Sequence, residues 1–219
     1  MKSVYIVFSA TPYKMGRFIR TVLHNEYNHV SIAFDEDLAT MCSYARFHVD
    51  VPLYGGFVSE SLCRHFYGNT SSRIKICRIE LEEENYQRLR EFVADMETGR
   101  GKYIYNTYSA MLAPLHIRCT IRNCYTCAEF VGDALSLAGF ALPMGRYHSL
   151  QHTERLLAPY VIYEGTCADF VSNPDWGEDH FPQRMGRFSG AAATLRSFGR
   201  LTARAVVSIA ALLIDIPWG

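Results

Sequence analysis

The stretch NCYTCAEFVGDAL, residues 123–135, contains the side chains of this chain best suited to nucleophilic chemistry. Thr126 and Glu129 fit a capping box, in which a threonine begins a helix and a glutamate three residues later bonds back to it. Cys127 is then the first helical residue. The positive end of a helix favours the thiolate, and free backbone N–H groups there can stabilise an oxyanion. The sequence therefore predicts a nucleophilic thiol at Cys127.

Three other interpretations of this stretch stay open. Cys124 and Cys127 could form a redox pair, although the Tyr and Thr between them are unlike the residues of a thioredoxin-type centre. They could supply half of a zinc site, although the sequence has no second C-x-x-C pair. Cys127 could also be a buried structural thiol. No pattern in the sequence calls for a metal ion or a cofactor.

A cysteine nucleophile needs a base, which is usually an imidazole. Of the eight histidines, His29 differs because it opens the strand-like segment HVSIAF. Such a strand has two faces, with Val30, Ile32 and Phe34 on one and His29, Ser31 and Ala33 on the other. Small neighbours leave room for a reactive group beside the imidazole, so His29 is the candidate base, while a purely structural histidine remains possible.

The elements that must position Cys127 and His29 follow from hydrophobic periodicity. Strands are predicted at 4–8, 27–34, 39–46 and 74–81, and 39–46 is predicted to pair with 27–34 across the turn-like DED. Helices are predicted at 14–26, 82–97 and 127–138.

The segments YNHVSIAFD and, about a hundred residues later, YTCAEFVGDAL resemble the permuted papain-like superfamily. Its members include NlpC-related, YiiX-like proteins and the lecithin–retinol acyltransferase group. In this branch the histidine strand precedes the cysteine helix, which is the order found here. YGGFVSESL, residues 54–62, also resembles a recurring element of the YiiX-like subgroup. The resemblance covers roughly residues 1–140. It implies an α+β fold with a small antiparallel sheet or barrel packed against the cysteine helix.

The resemblance also implies catalytic roles. Cys127 is expected to be the nucleophile and His29 the general base. The family places a third polar residue on the strand after the histidine strand, but residues 39–46 contain no Glu, Asp or His. Ser43 is the nearest polar match there, and Glu60 is a carboxylate that could reach His29 instead. Both are therefore candidates for orienting the imidazole.

The expected activity is that of a thiol-dependent hydrolase or acyltransferase acting on an amide or ester, like a cysteine peptidase or amidase. Peptides, peptidoglycan-type amides and lipid acyl groups are all candidate substrates. Tyr125 and Thr126, next to the nucleophile, are expected to contact the substrate.

Net charge, cysteine content and the first residues of the chain bear on its partners and its cellular compartment. The chain has 219 residues and a formal net charge of zero, so no overall field favours nucleic acid. Seven cysteines at irregular spacing do not suit a disulfide framework. The first residues predict a strand, not a signal peptide. These features predict a cytoplasmic protein.

The C-terminal part has a different composition. We expect a catalytic domain at 1–180 and a helical extension at 181–219 that is first rich in arginine and then apolar. Residues 180–214 contain no acidic side chain, while Arg196, Arg200 and Arg204 are spaced by four. The apolar run AVVSIAALLI is too short to cross a bilayer. This helix either packs on the body or lies on a membrane or partner with its arginines facing anions. In the second case the alternative function is a catalytically idle binding module.

Overall fold

The computed structural model describes residues 1–67, 70–143, 146–171 and 179–214. Helices and strands are both present, and the main sheet is antiparallel, which confirms the α+β class.

The described residues form ten strands. They are Lys2–Ser9 (β1), His29–Ala33 (β2), Met41–Arg46 (β3), Gly55–Glu60 (β4), Phe66–Tyr67 (β5), Thr70–Ser71 (β6), Arg73–Leu81 (β7), Ile104–Tyr105 (β8), Cys124–Tyr125 (β9) and Val161–Thr166 (β10). Six of them make the main sheet, in the order β10-β7-β1-β2-β3-β4, with every neighbouring pair antiparallel. The pairs β5-β6 and β8-β9 form two small sheets of their own.

The same residues form seven α-helices. They are Lys14–Leu23 (α1), Glu83–Thr98 (α2), Thr107–Leu112 (α3), Cys127–Leu137 (α4), Leu150–Leu156 (α5), Cys167–Phe170 (α6) and Arg187–Ile214 (α7). Short 3-10 helices occur at Leu62–His65, Arg100–Lys102, Ala113–Leu115 and Ala158–Tyr160. None of the helices in the described ranges is long and apolar enough to cross a membrane.

The sheet has a hydrophobic cluster on each face, because residues of opposite parity along a strand point to opposite sides. One cluster joins Val30 and Ile32 of β2 to the buried side of α4, including Phe130 and Val131. The other includes Ala33 and is covered by Leu62 and by α6. The alternation predicted for β2 is therefore confirmed, and α4 packs directly on β2 and β3.

Several predicted elements are confirmed with small changes at their ends. The hairpin partner of β2 is β3, with Ile32 opposite Cys42 and Ala33 opposite Met41. Helix α1 ends before the predicted residue 26, because His24 adopts a left-handed conformation with φ 49° and its N–H bonds to the carbonyl of Arg20. The helices α2 and α4 match their predicted ranges to within one residue at each end.

Two strands of the main sheet, β4 and β10, were not predicted as strands. In β10, half-buried and exposed positions alternate at first, but the exposed Ile162 is apolar, so polar and apolar residue types do not alternate and the periodicity signal is weak. At the expected domain boundary, Phe181 is buried and its ring lies 4.7 Å from the Arg64 guanidinium of the body. The division of the chain at residue 180 stays a prediction.

Candidate active site

Cys127 is the first residue of α4, as predicted, and the capping box before it is present. The Thr126 hydroxyl accepts a hydrogen bond from the Glu129 N–H at 3.2 Å, and the Glu129 carboxylate accepts one from the Thr126 N–H at 2.7 Å. Cys127 itself is 6% exposed. The local sequence thus fixes both the start of the helix and the position of the thiol at its positive end.

A buried arginine holds the start of α4 in place. Arg118 donates from its two terminal nitrogens to Asp133 of α4, at 2.9 and 2.8 Å. Its Nε lies 3.6 Å from Oε1 of Glu129, whose other oxygen completes the capping box. A bidentate guanidinium–carboxylate pair has a fixed geometry. The loop before β9 is therefore tied to the helix that carries the nucleophile.

His29 is the first residue of β2 and is bonded to a carboxylate. Its Nε2 lies 2.8 Å from Oε1 of Glu60, the last residue of β4. The Ser31 hydroxyl donates to the same carboxylate oxygen. Both His29 and Glu60 are buried. The structure therefore brings Glu60, and not a residue of β3, to the imidazole.

Charge and burial oppose each other in this pair. Burial alone would lower the pKa of His29, but the Glu60 carboxylate and the Cys127 side chain outweigh it and raise this pKa to about 10. Burial alone would raise the pKa of Glu60, but His29, Arg64 and Ser31 outweigh it and lower this pKa to about 2. An imidazolium–carboxylate pair is therefore the favoured state at neutral pH.

Ser43 does not orient the His29 ring, in contrast to the role expected for it. Its hydroxyl donates to the backbone carbonyl of Val30 at 2.7 Å. The registered β2-β3 pairs are Ile32–Cys42 and Ala33–Met41, and the Ser43 bond lies just beyond them. The hydroxyl thus satisfies a buried carbonyl at the end of the ladder. Ser43 fixes the backbone beside His29, whereas Glu60 contacts the ring.

An arginine and an aspartate complete the charged network behind Glu60. Arg64 Nη1 lies 3.5 Å from Oε2 of Glu60. The guanidinium also binds Asp179 in a bidentate manner, with Nε 2.5 Å from Oδ2 and Nη2 2.7 Å from Oδ1. Asp179 in turn accepts hydrogen bonds from the backbone N–H groups of Ser61 and Phe181. A residue at the very end of the predicted catalytic domain therefore helps to hold Arg64 beside the Glu60 carboxylate.

The thiol and the imidazole are close together. The Cys127 side chain lies beside the His29 imidazole, where its charge and its capacity for hydrogen bonding raise the pKa of His29. Since Nε2 of His29 is bonded to Glu60, Nδ1 is the ring nitrogen left to face the sulfur. When His29 is neutral, Glu60 favours the tautomer in which Nε2 carries the proton and Nδ1 can accept one. Cys127, His29 and Glu60 form a continuous buried series.

A cavity of about 320 Å³ opens beside this series, and its walls are mostly apolar. Cys127, His29, Glu60 and Thr126 are among the residues that line it. The apolar stripe of α1 faces the same space, and Phe18 at its outer end is 65% exposed. The helix thus presents its apolar side to the cavity and buries only Gly16 in the body. The wall of the cavity suits an apolar ligand.

Tyr125 does not line this cavity, in contrast to the expectation for a substrate-binding residue. Its ring packs on Tyr44, with the centroids 5.2 Å apart, and the Arg118 guanidinium lies 5.9 Å from its centroid. Tyr125, two residues before Cys127, points away from the cavity because it belongs to β9, whereas Cys127 begins a helix. Thr126 does line the cavity.

Three residues that contribute to the site were missed in the sequence. Ser31 was detectable, because the predicted alternation places it on the His29 face. Arg64 follows Glu60 by four residues, a spacing that only hints at a pair. Asp179 lies 115 residues beyond Arg64, and no local pattern joins them.

The other cysteines are in different surroundings. All seven cysteines are free thiols. Cys124 belongs to a separate cluster with Ile104 and Leu201, and burial raises its pKa. Burial also raises the pKa values of Cys42, Cys77 and Cys167 to about 12. Across the described ranges, no group of three or more His, Cys, Asp or Glu side chains could hold a metal ion.

The site thus combines a thiol at a helix start, an imidazole beside it and a carboxylate that orients the imidazole. Such a series can place a thiol beside an imidazolium and can pass protons to and from a leaving group. Comparisons of the chain with protein families, with curated proteins and with solved structures found no match.

Proposed function

We propose that this chain is a thiol-dependent hydrolase or acyltransferase that acts on an amide or ester, as a cysteine peptidase or amidase does. The observation that carries the proposal is the buried series Cys127, His29 and Glu60, in which Glu60 is hydrogen-bonded to the imidazole and the Cys127 side chain lies beside it. These are the nucleophile, the base and the orienting group of a cysteine triad. A histidine strand that precedes the cysteine helix supports a permuted papain-like fold.

In the first half of the reaction, the Cys127 thiolate attacks the substrate carbonyl carbon. A carbon–sulfur bond forms, and the electrons of the carbonyl double bond move to oxygen. The first N–H groups of α4 have no partner within the helix and can donate to this oxyanion. When the carbonyl reforms, the bond to the amine or alcohol breaks, and the His29 imidazolium protonates the leaving group.

In the second half, the thioester on Cys127 is resolved. A water molecule, or an acceptor hydroxyl or amine in the case of a transferase, loses its proton to Nδ1 of His29 and attacks the carbonyl. The carbon–sulfur bond then breaks, and the sulfur leaves as a thiolate beside the imidazolium. Glu60 stabilises the positive charge on His29 in both halves.

The cavity favours one class among the candidate substrates. Its wall includes Met15, Phe18 and Ile19 from α1, together with Leu53 and Met111. Apolar walls favour an apolar acyl group over a charged peptide, because burying an unpaired charge is costly. We therefore propose that esters and amides of apolar acyl groups are better candidate substrates than polar peptides or peptidoglycan-type amides.

The alternative function, a catalytically idle binding module, is less well supported than the enzyme. It rested on the lack of a carboxylate on the strand after β2, and Glu60 of β4 supplies a carboxylate to His29 instead. The related proposal of a membrane contact rests on α7 and is independent of the reaction.

The test uses p-nitrophenyl esters of increasing acyl chain length with the full chain. We expect an acyl adduct on Cys127 that hydroxylamine removes, with rates that rise with chain length. Cys127→Ser should abolish both adduct and turnover. Cys119→Ser, which changes a partly exposed thiol, should leave them unchanged. The absence of any adduct, with equal hydrolysis by Cys127→Ser, would contradict the proposal.

A further inference from the structure

Helix α7 packs on the body through a narrow seam. Over residues 187–211, where burial is described, the buried residues of α7 are Gly190, Ser197, Leu201 and Ala205. Leu201 and Ala205 belong to a cluster with Ile104, Ile121 and Cys124. The Tyr108 hydroxyl is also hydrogen-bonded to Thr202 at 2.9 Å. The spacing of seven, four and four residues places the seam on one side of the helix.

The opposite side of α7 is apolar although it is exposed. Phe188 is 94% exposed, Leu195 is 74% exposed and Val206 is 61% exposed. Their spacings of seven and eleven residues align them along one line, on the side away from the seam. Ala192 and Ala203, also exposed, lie close to the same line. We call this surface the outer face of α7. A surface helix normally carries polar residues there.

The charges within residues 180–214, the segment that carries the outer face, are all positive. The only charged residues among 180–214 are five arginines, Arg184, Arg187, Arg196, Arg200 and Arg204. Two of them serve the body, because Arg200 donates to the Gly101 carbonyl at 2.7 Å and Arg204 to the Lys102 carbonyl at 2.6 Å. In the alternative with α7 on a membrane or partner, all three spaced arginines were expected to face anions, but two of them bond to the body. Arg184, Arg187 and Arg196 are exposed.

We propose that the outer face of α7 docks on the surface of a membrane that contains anionic lipids. The helix would lie parallel to the membrane, with the protein body on one side and the apolar line in the lipid interface. Arg187 and Arg196 are the sequence neighbours of Phe188 and Leu195 on that line, and Arg184 lies just before the helix, so that all three can reach lipid phosphates and carboxylates. Apolar burial and attraction to anionic head groups are the two contributions that bind interfacial helices.

A second copy of the chain is the competing occupant of the outer face. Pairing two outer faces would bring arginines of one helix near those of the other. Residues 180–214 offer no acidic side chain to neutralise them. Like charges at a pairing surface are unfavourable, whereas an anionic surface complements them. Charge complementarity therefore favours the membrane over self-association.

The first test measures flotation of the full chain with vesicles. One set contains phosphatidylcholine alone, and the other contains equal amounts of phosphatidylcholine and phosphatidylserine. We expect binding to the second set and little to the first. Val206→Glu should abolish binding. Ile162→Glu is the matched control, because Ile162 is an exposed apolar residue, at 51%, on the far edge strand β10, and it should bind like the wild type.

The second test measures the charge contribution. Arg196→Gln should weaken binding to phosphatidylserine vesicles about fivefold, and added salt should weaken it further. Cys127→Ser should bind like the wild type, so that membrane binding and catalysis are judged separately. The proposal is overturned if the full chain binds neither set of vesicles. It is also overturned if Val206→Glu only converts a dimer to a monomer, as measured by sedimentation.

Discussion

Replacing Glu60 with glutamine would remove the charge of the group that holds His29 while keeping its shape. The amide oxygen of Gln can still accept a hydrogen bond from Nε2 of His29, so the ring orientation is retained. Arg64 keeps its bidentate partner Asp179, and no buried guanidinium is left without a carboxylate. We therefore expect the variant to fold, and the perturbation to act mainly on the basicity of His29.

The size of the effect follows from the contacts of His29. Burial acts to lower its pKa, and Glu60, at 2.8 Å, is the largest influence that raises it to about 10. An opposite charge at such a distance shifts a pKa by ~1–3 units, and each unit corresponds to about 1.4 kcal/mol. Because both groups are buried, we expect the upper part of this range. The thiolate–imidazolium state of the wild type should then be about 10²–10³ times more populated than that of Glu60→Gln.

The assay is alkylation of Cys127 by iodoacetamide as a function of pH, followed peptide by peptide with mass spectrometry. A raised His29 pKa means that the imidazolium is present at neutral pH and is lost only as the pH rises through about 10. The wild type should therefore react rapidly and almost independently of pH near neutrality. In Glu60→Gln the rate near pH 6 should fall about 10²–10³-fold and then rise steadily toward alkaline pH.

Glu91→Gln, which changes an exposed carboxylate on α2, is the matched control and should behave like the wild type. Circular dichroism would verify that both variants are folded. If folded Glu60→Gln kept the rate and pH profile of the wild type, the conclusion that Glu60 sets the charge state of His29 would be refuted.

Three further substitutions separate structural from chemical roles. Ser43→Ala should lower the free energy of unfolding by about 1 kcal/mol in urea titrations, because the Val30 carbonyl loses its partner, and should leave the pH profile of alkylation unchanged. Thr126→Ala should lower the free energy of unfolding by about 1 kcal/mol, because the helix loses its N-cap. It should also slow alkylation of Cys127, because the start of the helix frays. Cys124→Ser should hydrolyse the ester as fast as the wild type, whereas a redox mechanism that uses Cys124 predicts loss of turnover. The rates of p-nitrophenol release at equal protein concentration distinguish the two mechanisms.

Local features of the site were predictable from the sequence. The capping box depends on residues three apart, and the two faces of β2 depend on simple alternation, so Cys127 and His29 could be placed on their elements. The choice between Ser43 and Glu60 could not be made in this way. It depends on where the β2-β3 ladder ends and on how β4 aligns with β3, and both are set by tertiary packing.

The orientation of α7 shows the same limit. A spacing of four residues correctly places Arg196, Arg200 and Arg204 along one side of a helix. It does not reveal that backbone carbonyls at Gly101 and Lys102 lie within reach of two of them. These two carbonyls belong to a segment about a hundred residues earlier in the chain. The helical pattern of α7 carries no information about that segment.

The pairing of Arg64 with Asp179 has a consequence for the nascent chain. The two residues are 115 positions apart, so a ribosome that adds ~5–20 residues per second takes about 6–23 s to go from one to the other. During that interval the Arg64 guanidinium lacks its bidentate partner, and Glu60, 3.5 Å away, is the carboxylate left beside it. The charged series behind the thiol can therefore close only after Asp179 has left the exit tunnel. We expect iodoacetamide to label Cys127 more slowly in a ribosome-bound chain that contains Cys127 but lacks Asp179 than in the full chain.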